Sequence, residues 1–279
     1  MGSATGPGAR AVIIGVSGRM GQALVRAACE LPGLRITAAV ASPGSASLGR
    51  DAGALAGTQP LGVAVSSDLP AGLAAADVAI DFSRPHSTRA NIAACRAAGK
   101  PLLIGTTGFA AEVTEAELDA AARDIPLLVA PNTSVGVALL MELVRRAARA
   151  LPAEFDIEII EAHHRMKRDA PSGTALALAA AAGEGRGLAR GQALPASASG
   201  RAGLRPQGGI GFAVVRGGDI VGEHTVLFAG PGEELRLAHR AGDRGVFARG
   251  ALRAALWLLG RPPGRYAMSD IVLKDHAFS

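Results

Sequence analysis

The strongest constraint on the fold is a glycine-rich turn near the start of the chain. Residues 11–14 form a short apolar run, which is typical of a buried parallel strand. Residues 15–21 follow at once with the spacing G-x-x-G-x-x-G, and helical spacing runs from about residue 20 to residue 31. A strand, a glycine turn and a helix in this order are typical of a dinucleotide-binding fold. Because the usual spacing is G-x-G-x-x-G, a plain turn at a helix start remains the alternative.

The first half of the chain alternates strand and helix patterns. Further buried strands are predicted at residues 35–41, 78–82, 102–104 and 127–129, and helices at residues 86–98 and 110–123. Such alternation is typical of parallel strands joined by crossover helices. It therefore predicts an α/β fold with a doubly wound parallel sheet.

The second half of the chain has a different pattern. Residues 155–161 alternate with a period of two, as in a sheet with one covered face. An antiparallel meander is predicted from strand patterns at residues 210–215, 220–228 and 235–239, with a turn at residues 217–219. Helices are predicted at residues 134–151 and 247–259, and a loop at residues 183–205. We therefore expect a second, α+β domain with a mixed or antiparallel open sheet.

The charge balance bounds the class of partner. With 29 Lys and Arg against 24 Asp and Glu, the net charge is +5, which is compatible with nucleic-acid binding. The basic residues are scattered and are not interleaved with aromatics, so we expect an enzyme with an anionic substrate and no nucleic-acid partner. No apolar stretch approaches the ~20 residues that span a bilayer, so no membrane partner is expected.

The cysteines and the start of the chain bear on location. Cys29 and Cys95 lie in helix-like segments without a partner spacing, so we predict buried free thiols. Residues 1–10 lack the charged-then-apolar order of a signal peptide and read as a loose tail. Both features favour a cytoplasmic protein.

Cofactor choice is normally set about 20 residues beyond the glycine turn, where a carboxylate holds the ribose of NAD. Residues 40–43 read V-A-S-P and contain no acid. Arg19 lies next to the expected phosphates, and Ser42 is able to donate a hydrogen bond to a 2′-phosphate. We therefore expect NADPH to be accepted at least as well as NADH.

The segment richest in chemistry is residues 161–174, E-A-H-H-R-M-K-R-D-A-P-S-G-T. It combines two histidines and three cations with a helix start near Ser172, where free amides and Lys167 suit a carboxylate. A metal site is one interpretation, but adjacent histidines point in different directions and no third ligand has a recognisable spacing. A solvated basic turn is another. The sequence favours the third, an anion-binding catalytic loop in which histidine donates a proton, with no metal.

This segment resembles the signature E-x-H-H-x-x-K-x-D-x-P-S-G-T of the dihydrodipicolinate reductase family. The resemblance extends over nearly the whole chain and includes residues 15–21, 80–85, 104–109, 131–136, 209–212, 218–224 and 254–258. It implies a Rossmann-like dinucleotide-binding domain of residues 1–133 and 244–279, and a substrate-binding and oligomerisation domain of residues 134–243 that builds a homotetramer.

The resemblance also implies the reaction. NADPH or NADH would reduce 4-hydroxy-tetrahydrodipicolinate, a small dianionic cyclic substrate, to tetrahydrodipicolinate in lysine and diaminopimelate biosynthesis. His163 would assist as general acid, with Lys167 either donating the proton or binding a carboxylate. His164, Ser172, Gly173 and Thr174 would hold the carboxylates of the substrate.

The expected cofactor contacts form four groups along the chain. They are Gly15, Ser17, Gly18, Arg19, Met20 and Gly21 in the turn, Ser42 after the second strand, Gly105, Thr106 and Thr107 by the nicotinamide ribose, and Ala130, Pro131 and Asn132 near the ring.

The sequence departs from the family pattern at two positions. Many members carry an acid where Ala41 stands, and Thr133 occupies a place often filled by a bulkier residue. Of the polar residues outside the signature, Asp81 is expected to order a loop. His224 is expected to make hydrogen bonds between strands or at an interface, or to line the substrate cleft.

Two rival functions remain open. Another Rossmann oxidoreductase is one, although a thioester-forming aldehyde dehydrogenase needs a cysteine in its site, and neither Cys29 nor Cys95 is near the basic loop. A nucleotide-sensing regulator is the other, and it would have no use for His163 together with Lys167.

Overall fold

The computed structural model describes residues 8–188 and 209–273. Residue contacts divide the chain into two compact units, Met1–Ser134 with Gly245–Ser279, and Val135–Arg244. Most of the predicted N-terminal tail and residues 189–205 of the predicted loop lie outside the described residues. The assignment of cofactor binding to one domain and substrate binding to the other stays a prediction.

The first unit contains a seven-stranded sheet in which every neighbouring pair is parallel. Its strands are β1 (Ala9–Ile14), β2 (Leu34–Val40), β3 (Val65–Ser66), β4 (Val78–Asp81), β5 (Leu102–Ile104), β6 (Pro126–Val129) and β11 (Gly264–Tyr266). The order β11-β6-β5-β4-β1-β2-β3 is that of a doubly wound Rossmann sheet, so the predicted fold class is confirmed. Strands β4 and β5 are completely buried, which explains their uninterrupted apolar runs.

The helices of this unit are α1 (Arg19–Glu30), α2 (Ala52–Ala56), α3 (Leu69–Ala74), α4 (Thr88–Ala97), α5 (Glu115–Ala122), α8 (Gly245–Leu258) and α9 (Met268–Leu273). Helix α5 begins five residues later than predicted. The reason is a capping box, in which the Thr114 side chain accepts from the Glu117 amide and the Glu117 carboxylate accepts from the Thr114 amide. The short elements α2, β3, α3, β11 and α9 were not predicted.

The second unit consists of α6 (Val135–Ala150), β7 (Asp156–His163), α7 (Gly173–Gly185), β8 (Ile210–Arg216), β9 (Glu223–Gly230) and β10 (Glu233–Arg240). Its sheet has the order β10-β9-β7-β8. Alternate residues of β7 are buried, as its period of two predicted. Helix α7 runs to Gly185, so the start of the predicted loop at residue 183 is wrong.

The predicted antiparallel meander is correct for β9 and β10, which pair antiparallel. It is wrong for β8, which pairs with β7 in parallel and is separated from β9 by β7. The turn signal at residues 217–219 was read as a hairpin between neighbours. In the structure the segment between β8 and β9 instead crosses the end of β7. There Gly217 N donates to His163 O at 3.0 Å, and Arg165 N donates to Gly218 O at 3.2 Å. Strand β9 accordingly begins at Glu223 rather than at residue 220.

The two cysteines are free thiols, and Cys95 is buried as predicted. The prediction that Cys29 is buried is wrong, because this residue lies on the exposed side of α1. Burial raises the pKa of the Cys95 thiol to about 12. Among the described residues, every helix is too short or too polar to cross a bilayer.

Candidate functional site

The residues expected to bind the cofactor collect at one edge of the first unit. They follow β1, β2, β5 and β6, and these strands are parallel. Their carboxyl ends therefore lie along the same edge, where ligands of open α/β sheets bind. Ser17, Gly18, Arg19, Ser42, Thr107 and Pro131 are exposed along it.

In the glycine turn, backbone segments pack directly against one another. Gly15 has φ +85°, and a Cβ atom there would lie 2.5 Å from Phe82 O. A Cβ atom on Gly21 would lie 2.3 Å from Gly15 O. Helix α1 begins after Gly18 without a side-chain cap, so its first amides face the turn. A cradle of this kind fits the pyrophosphate of a dinucleotide.

Asp81, at the end of β4, connects the loop after β4 to the loop after β5, in agreement with the expectation that it orders a loop. Its buried carboxylate accepts from Ser83 N at 2.8 Å and from Asn91 Nδ2 at 3.0 Å. It also accepts from Thr106 Oγ1 at 3.3 Å, so the Thr106 side chain faces inward. The Thr106 hydroxyl is therefore engaged within the protein.

The loop after β6 is tied to α8. Asn132 Oδ1 accepts from Ser134 N at 2.9 Å, and Thr133 Oγ1 donates to Phe247 O at 2.6 Å. A Cβ atom on Gly250 would lie 1.8 Å from Thr133 O, so helix and loop are in close contact. Thr133 thus joins the loop after β6 to α8 through its hydroxyl group.

In the second unit, strand register gathers four polar side chains on one face of the sheet. His163 of β7 lies opposite Arg216 of β8, and Glu161 of β7 lies opposite His224 of β9. Residues directly opposite share a face, and residues two apart on a strand share one as well. Glu161, His163, Arg216 and His224 therefore converge near the carboxyl end of β7.

Glu161 is at the centre of this group. Its buried carboxylate accepts from Ser172 N at 2.9 Å, from Arg216 Nη2 at 2.9 Å and from Arg216 Nη1 at 3.1 Å. It also contacts His163 Nδ1. Neither Glu161 nor Arg216 was assigned a role from the sequence. A signal existed for Glu161, because the alternation of β7 puts it on the buried face, where a carboxylate needs partners.

The charges of the group are set by burial and by these contacts. Burial alone would raise the pKa of Glu161, but the hydrogen bonds from Arg216 and from Ser172 N lower it. Burial lowers the pKa of His163. The charge of Glu161 opposes this shift, and the charges of Lys167 and Arg216 add to it. Burial, together with the neighbouring His163, lowers the pKa of His224 to about 4. Glu161 is therefore an anion near neutral pH, and His224 is neutral.

The start of α7 closes the site. Ser172 Oγ accepts from Ala175 N at 3.2 Å, which makes Ser172 the N-cap, and it lies 3.2 Å from His224 Nε2. In the preceding loop, Lys167 Nζ pairs with Asp169 Oδ2 at 2.8 Å. The prediction of a helix start near Ser172 is confirmed.

The remaining predicted substrate contacts border the same loop. His164 is half-buried, and its carbonyl accepts from Lys167 N at 3.1 Å. Gly173 is exposed at the first position of α7, and Thr174 is half-buried beside it. His163, Lys167 and the start of α7 therefore belong to one part of the second unit.

One group within the described ranges has the composition of a metal site. Ligand atoms of Glu161, His163 and His224 lie within 4.8 Å of one another. Both carboxylate oxygens of Glu161 already accept from the guanidinium of Arg216. A bound cation would compete with that charge, so the group is better suited to ordering a proton. The absence of a metal stays a prediction.

Two family models match almost the whole chain. Residues 9–133 match the model of the dihydrodipicolinate reductase N-terminus, and residues 136–272 match the model of its C-terminus. The chain belongs to the dihydrodipicolinate reductase family. The resemblance predicted from the signature is thereby confirmed, and so is the class of enzyme, an NAD(P)H-dependent oxidoreductase.

Relatives support this membership. A protein of Alkalilimnicola ehrlichii named 4-hydroxy-tetrahydrodipicolinate reductase is 53% identical over 94% of this chain and 98% of its own. One of Anaeromyxobacter dehalogenans with the same name is 50% identical over 94% and 97%. A solved structure described as dipicolinate-bound dihydrodipicolinate reductase from Paenisporosarcina is similar with a TM-score of 0.76, 25% identity, and coverage of 96% and 100%.

Proposed function

We propose that the protein reduces 4-hydroxy-tetrahydrodipicolinate to tetrahydrodipicolinate with NADPH or NADH, as a step of lysine and diaminopimelate biosynthesis. The observation that carries the proposal is the histidine at the end of β7. His163 is held by a buried carboxylate beside a basic loop and the start of a helix. Relatives about half identical over nearly their whole length bear the name of this reductase.

The proposed substrate is a dianion, and the loop offers what two carboxylates need. Lys167 carries a positive charge, and the first amides of α7 at Gly173 and Thr174 attract anions. His164 and the Ser172 hydroxyl border the same segment. Charge-assisted contacts of this kind are each worth about 1.5–3 kcal/mol, so several of them give a small dianion both affinity and orientation.

The proton that completes the reduction is assigned to His163 and Lys167. For the reaction to balance, the 4-hydroxyl group of the substrate must leave as water. A bound nicotinamide cofactor would supply a hydride to the ring carbon that carried this hydroxyl, and a proton would have to reach the neighbouring atom that takes up the electron pair. Since Nδ1 of His163 faces Glu161, Nε2 is the nitrogen that remains to donate a proton. Lys167 either donates this proton itself or fixes the carboxylate beside it.

The edge of the first unit is proposed to hold the cofactor. Glycine at residues 15 and 21 permits the tight turn, because a Cβ atom at either position would strike backbone. A turn of this kind before a helix start is suited to a pyrophosphate. Arg19 and Ser42 are exposed, whereas Ala41 is buried. With no acid at residues 40–43, nothing there repels a 2′-phosphate, so NADPH is expected to serve at least as well as NADH.

The test is nicotinamide oxidation, followed by absorbance, with substrate generated in place from pyruvate and aspartate semialdehyde by the preceding synthase. NADPH and NADH are compared side by side. Oxidation that requires the synthase supports the proposal, and the ratio of kcat/KM values tests the interpretation of Ala41 and Ser42. A protein that binds the cofactor but gives no synthase-dependent oxidation would refute the assigned reaction.

We also propose a cytoplasmic homotetramer. The free cysteines suit a reducing compartment. Large apolar side chains are exposed in the sheet of the second unit, namely Val214 and Val215 on β8 and Leu235 on β10, which favours burial against another copy. Light scattering distinguishes the expected mass of about four chains from that of a monomer.

A further inference from the structure

We infer that Glu161 is the positioning residue of this site, and that Arg216 keeps it charged. Glu161 holds His163 in the tautomer that leaves Nε2 to exchange protons. The inference rests on the proposed function for its catalytic meaning, but the tautomer is a property of the protein without substrate.

The tautomer follows from the chemistry of the carboxylate. An ionised carboxylate only accepts hydrogen bonds, so the His163 nitrogen that faces Glu161 must carry hydrogen. Arg216 stabilises the ionised form, because its two terminal nitrogens donate to the two oxygens at 3.1 and 2.9 Å. Nδ1 is therefore the fixed donor, and the lone pair of the neutral ring lies on Nε2.

The surroundings of Nε2 are kept open by a glycine. A Cβ atom on Gly222 would lie 3.2 Å from His163 Nε2. Gly222 is not among the glycines with positive φ, so its backbone does not require glycine. A side chain at residue 222 would therefore crowd the imidazole on its Nε2 side.

Glu161 and Arg216 also hold two other parts of the site, the loop that contains Lys167 and the start of α7. Glu161 accepts from Ser172 N at 2.9 Å, at the N-cap of α7. Arg216 Nη2 donates to Asp169 O at 2.7 Å, in the loop where Asp169 pairs with Lys167. The orientation of the proton donor is thereby linked to the position of the proposed carboxylate site.

Among the residues that the structure describes, four ionisable groups face His163, and one of these four favours its charged form. Glu161 on β7 raises the pKa of His163, while Lys167 in the loop and Arg216 on β8 lower it. His224 on β9 lies edge-on, with ring centroids 5.1 Å apart, and is itself neutral. Removal of the Glu161 charge therefore lowers the pKa of His163 further, and the acid form is lost at a lower pH.

The first test is Glu161→Gln, which keeps an oxygen for Ser172 N but removes the charge. We expect kcat to fall about 10- to 100-fold, as for other residues that orient a functional histidine. KM for the substrate should change less than about threefold, since the start of α7 keeps its acceptor. The high-pH limb of kcat should move to lower pH. An unmoved limb would overturn the inference.

The matched control is Glu184→Gln. It makes the same replacement in the same unit and also removes an arginine pair, between Glu184 and Arg145 at 2.8 Å. Glu184 is near the far end of α7, about 16 Å along the helix from Gly173. Its kcat and pH profile should match those of the unaltered protein.

The second test needs no substrate and no variant of Glu161. Histidine ¹⁵N spectra of the unaltered protein, with the His163 signals assigned by their loss in His163→Gln, report which nitrogen carries hydrogen. We expect hydrogen on Nδ1 in the neutral ring. Hydrogen on Nε2 would overturn the inference even if Glu161→Gln fails to fold. A protein with the expected tautomer but no reductase activity would instead refute the proposed function.

Discussion

The two candidate sites share a local arrangement of strand and helix but differ in the side chains at the start of the helix. In each, a buried strand ends and a helix begins nearby, β1 before α1 and β7 before α7. The turn before α1 is rich in glycine, and its N-cap residue, Gly18, has no side chain with which to cap the helix. The start of α7 is crowded with polar side chains, and Ser172 caps the helix with its hydroxyl.

The difference follows from what each ligand brings. A dinucleotide brings its own negative charge, so the protein needs only amides and room for the backbone to approach. A substrate that must be protonated needs a group of defined charge, and burial then requires partners for that group. An added methyl group should therefore damage the first site, and a removed charge should damage the second.

The largest expected effect is that of Lys167→Ala. Loss of this ammonium removes either the proton donor or a carboxylate contact, and kcat/KM should fall by about 10² to 10⁴. Arg168→Ala removes the neighbouring exposed cation and should have little effect. Cofactor affinity, measured by fluorescence titration, should change less than about twofold in both variants. If Lys167→Ala lost as much cofactor affinity as kcat/KM, the assignment of Lys167 to the substrate site would be wrong.

A methyl group added to the glycine turn should have the next largest effect. Gly15→Ala meets both a positive φ and a contact of 2.5 Å with Phe82 O, whereas Gly33→Ala meets φ +86° and nothing within 4 Å. Gly33→Ala isolates the conformational penalty, about 1–2 kcal/mol. Gly15→Ala should add about 1–3 kcal/mol from overpacking and weaken cofactor binding. Equal melting temperatures for the two variants would show that the turn yields without strain.

Much of the first unit could be predicted because its strands are buried on both faces. Strand β5 occupies the predicted residues 102–104, and the apolar run alone determines it. Strand β11 could not be predicted, because three residues after Pro262 and Pro263 carry no periodic signal. Its place beside β6 is determined by pairing with residues far away in sequence.

The second unit shows how one error of topology hid part of the site. The signature identified His163, Lys167 and Ser172 directly. Arg216 faces Glu161 because β8 pairs in parallel with β7, whereas the strand pattern had suggested that β8 lies beside β9. A turn signal shows where a chain reverses but not which strand lies next to it, so the wrong neighbour and the missed arginine have one cause.

The smallest expected effect concerns His224 and pH. Its pKa is lowered to about 4 by burial, and its Nδ1 atom has no hydrogen-bond partner among the described residues. The folded protein thus keeps this ring neutral where an unfolded chain, with a histidine pKa near 6.5, takes up a proton. Stability from His224 is complete above about pH 6.5 and is lost as pH falls toward 4, by about 1.4 kcal/mol per unit.

Melting temperatures at pH 7.5 and pH 5.5 test this sign. The unaltered protein should lose about 3 °C more than His224→Gln, which no longer takes up a proton on unfolding at this position. His86→Gln replaces an exposed histidine and should keep the full pH dependence. His163, whose pKa is also lowered by burial, leaves a smaller dependence of the same sign in His224→Gln. An equal loss of melting temperature in all three proteins would mean that His224 takes up its proton in the folded state near its ordinary pKa. The polar groups of the second site would then be less shielded from water than their burial implies.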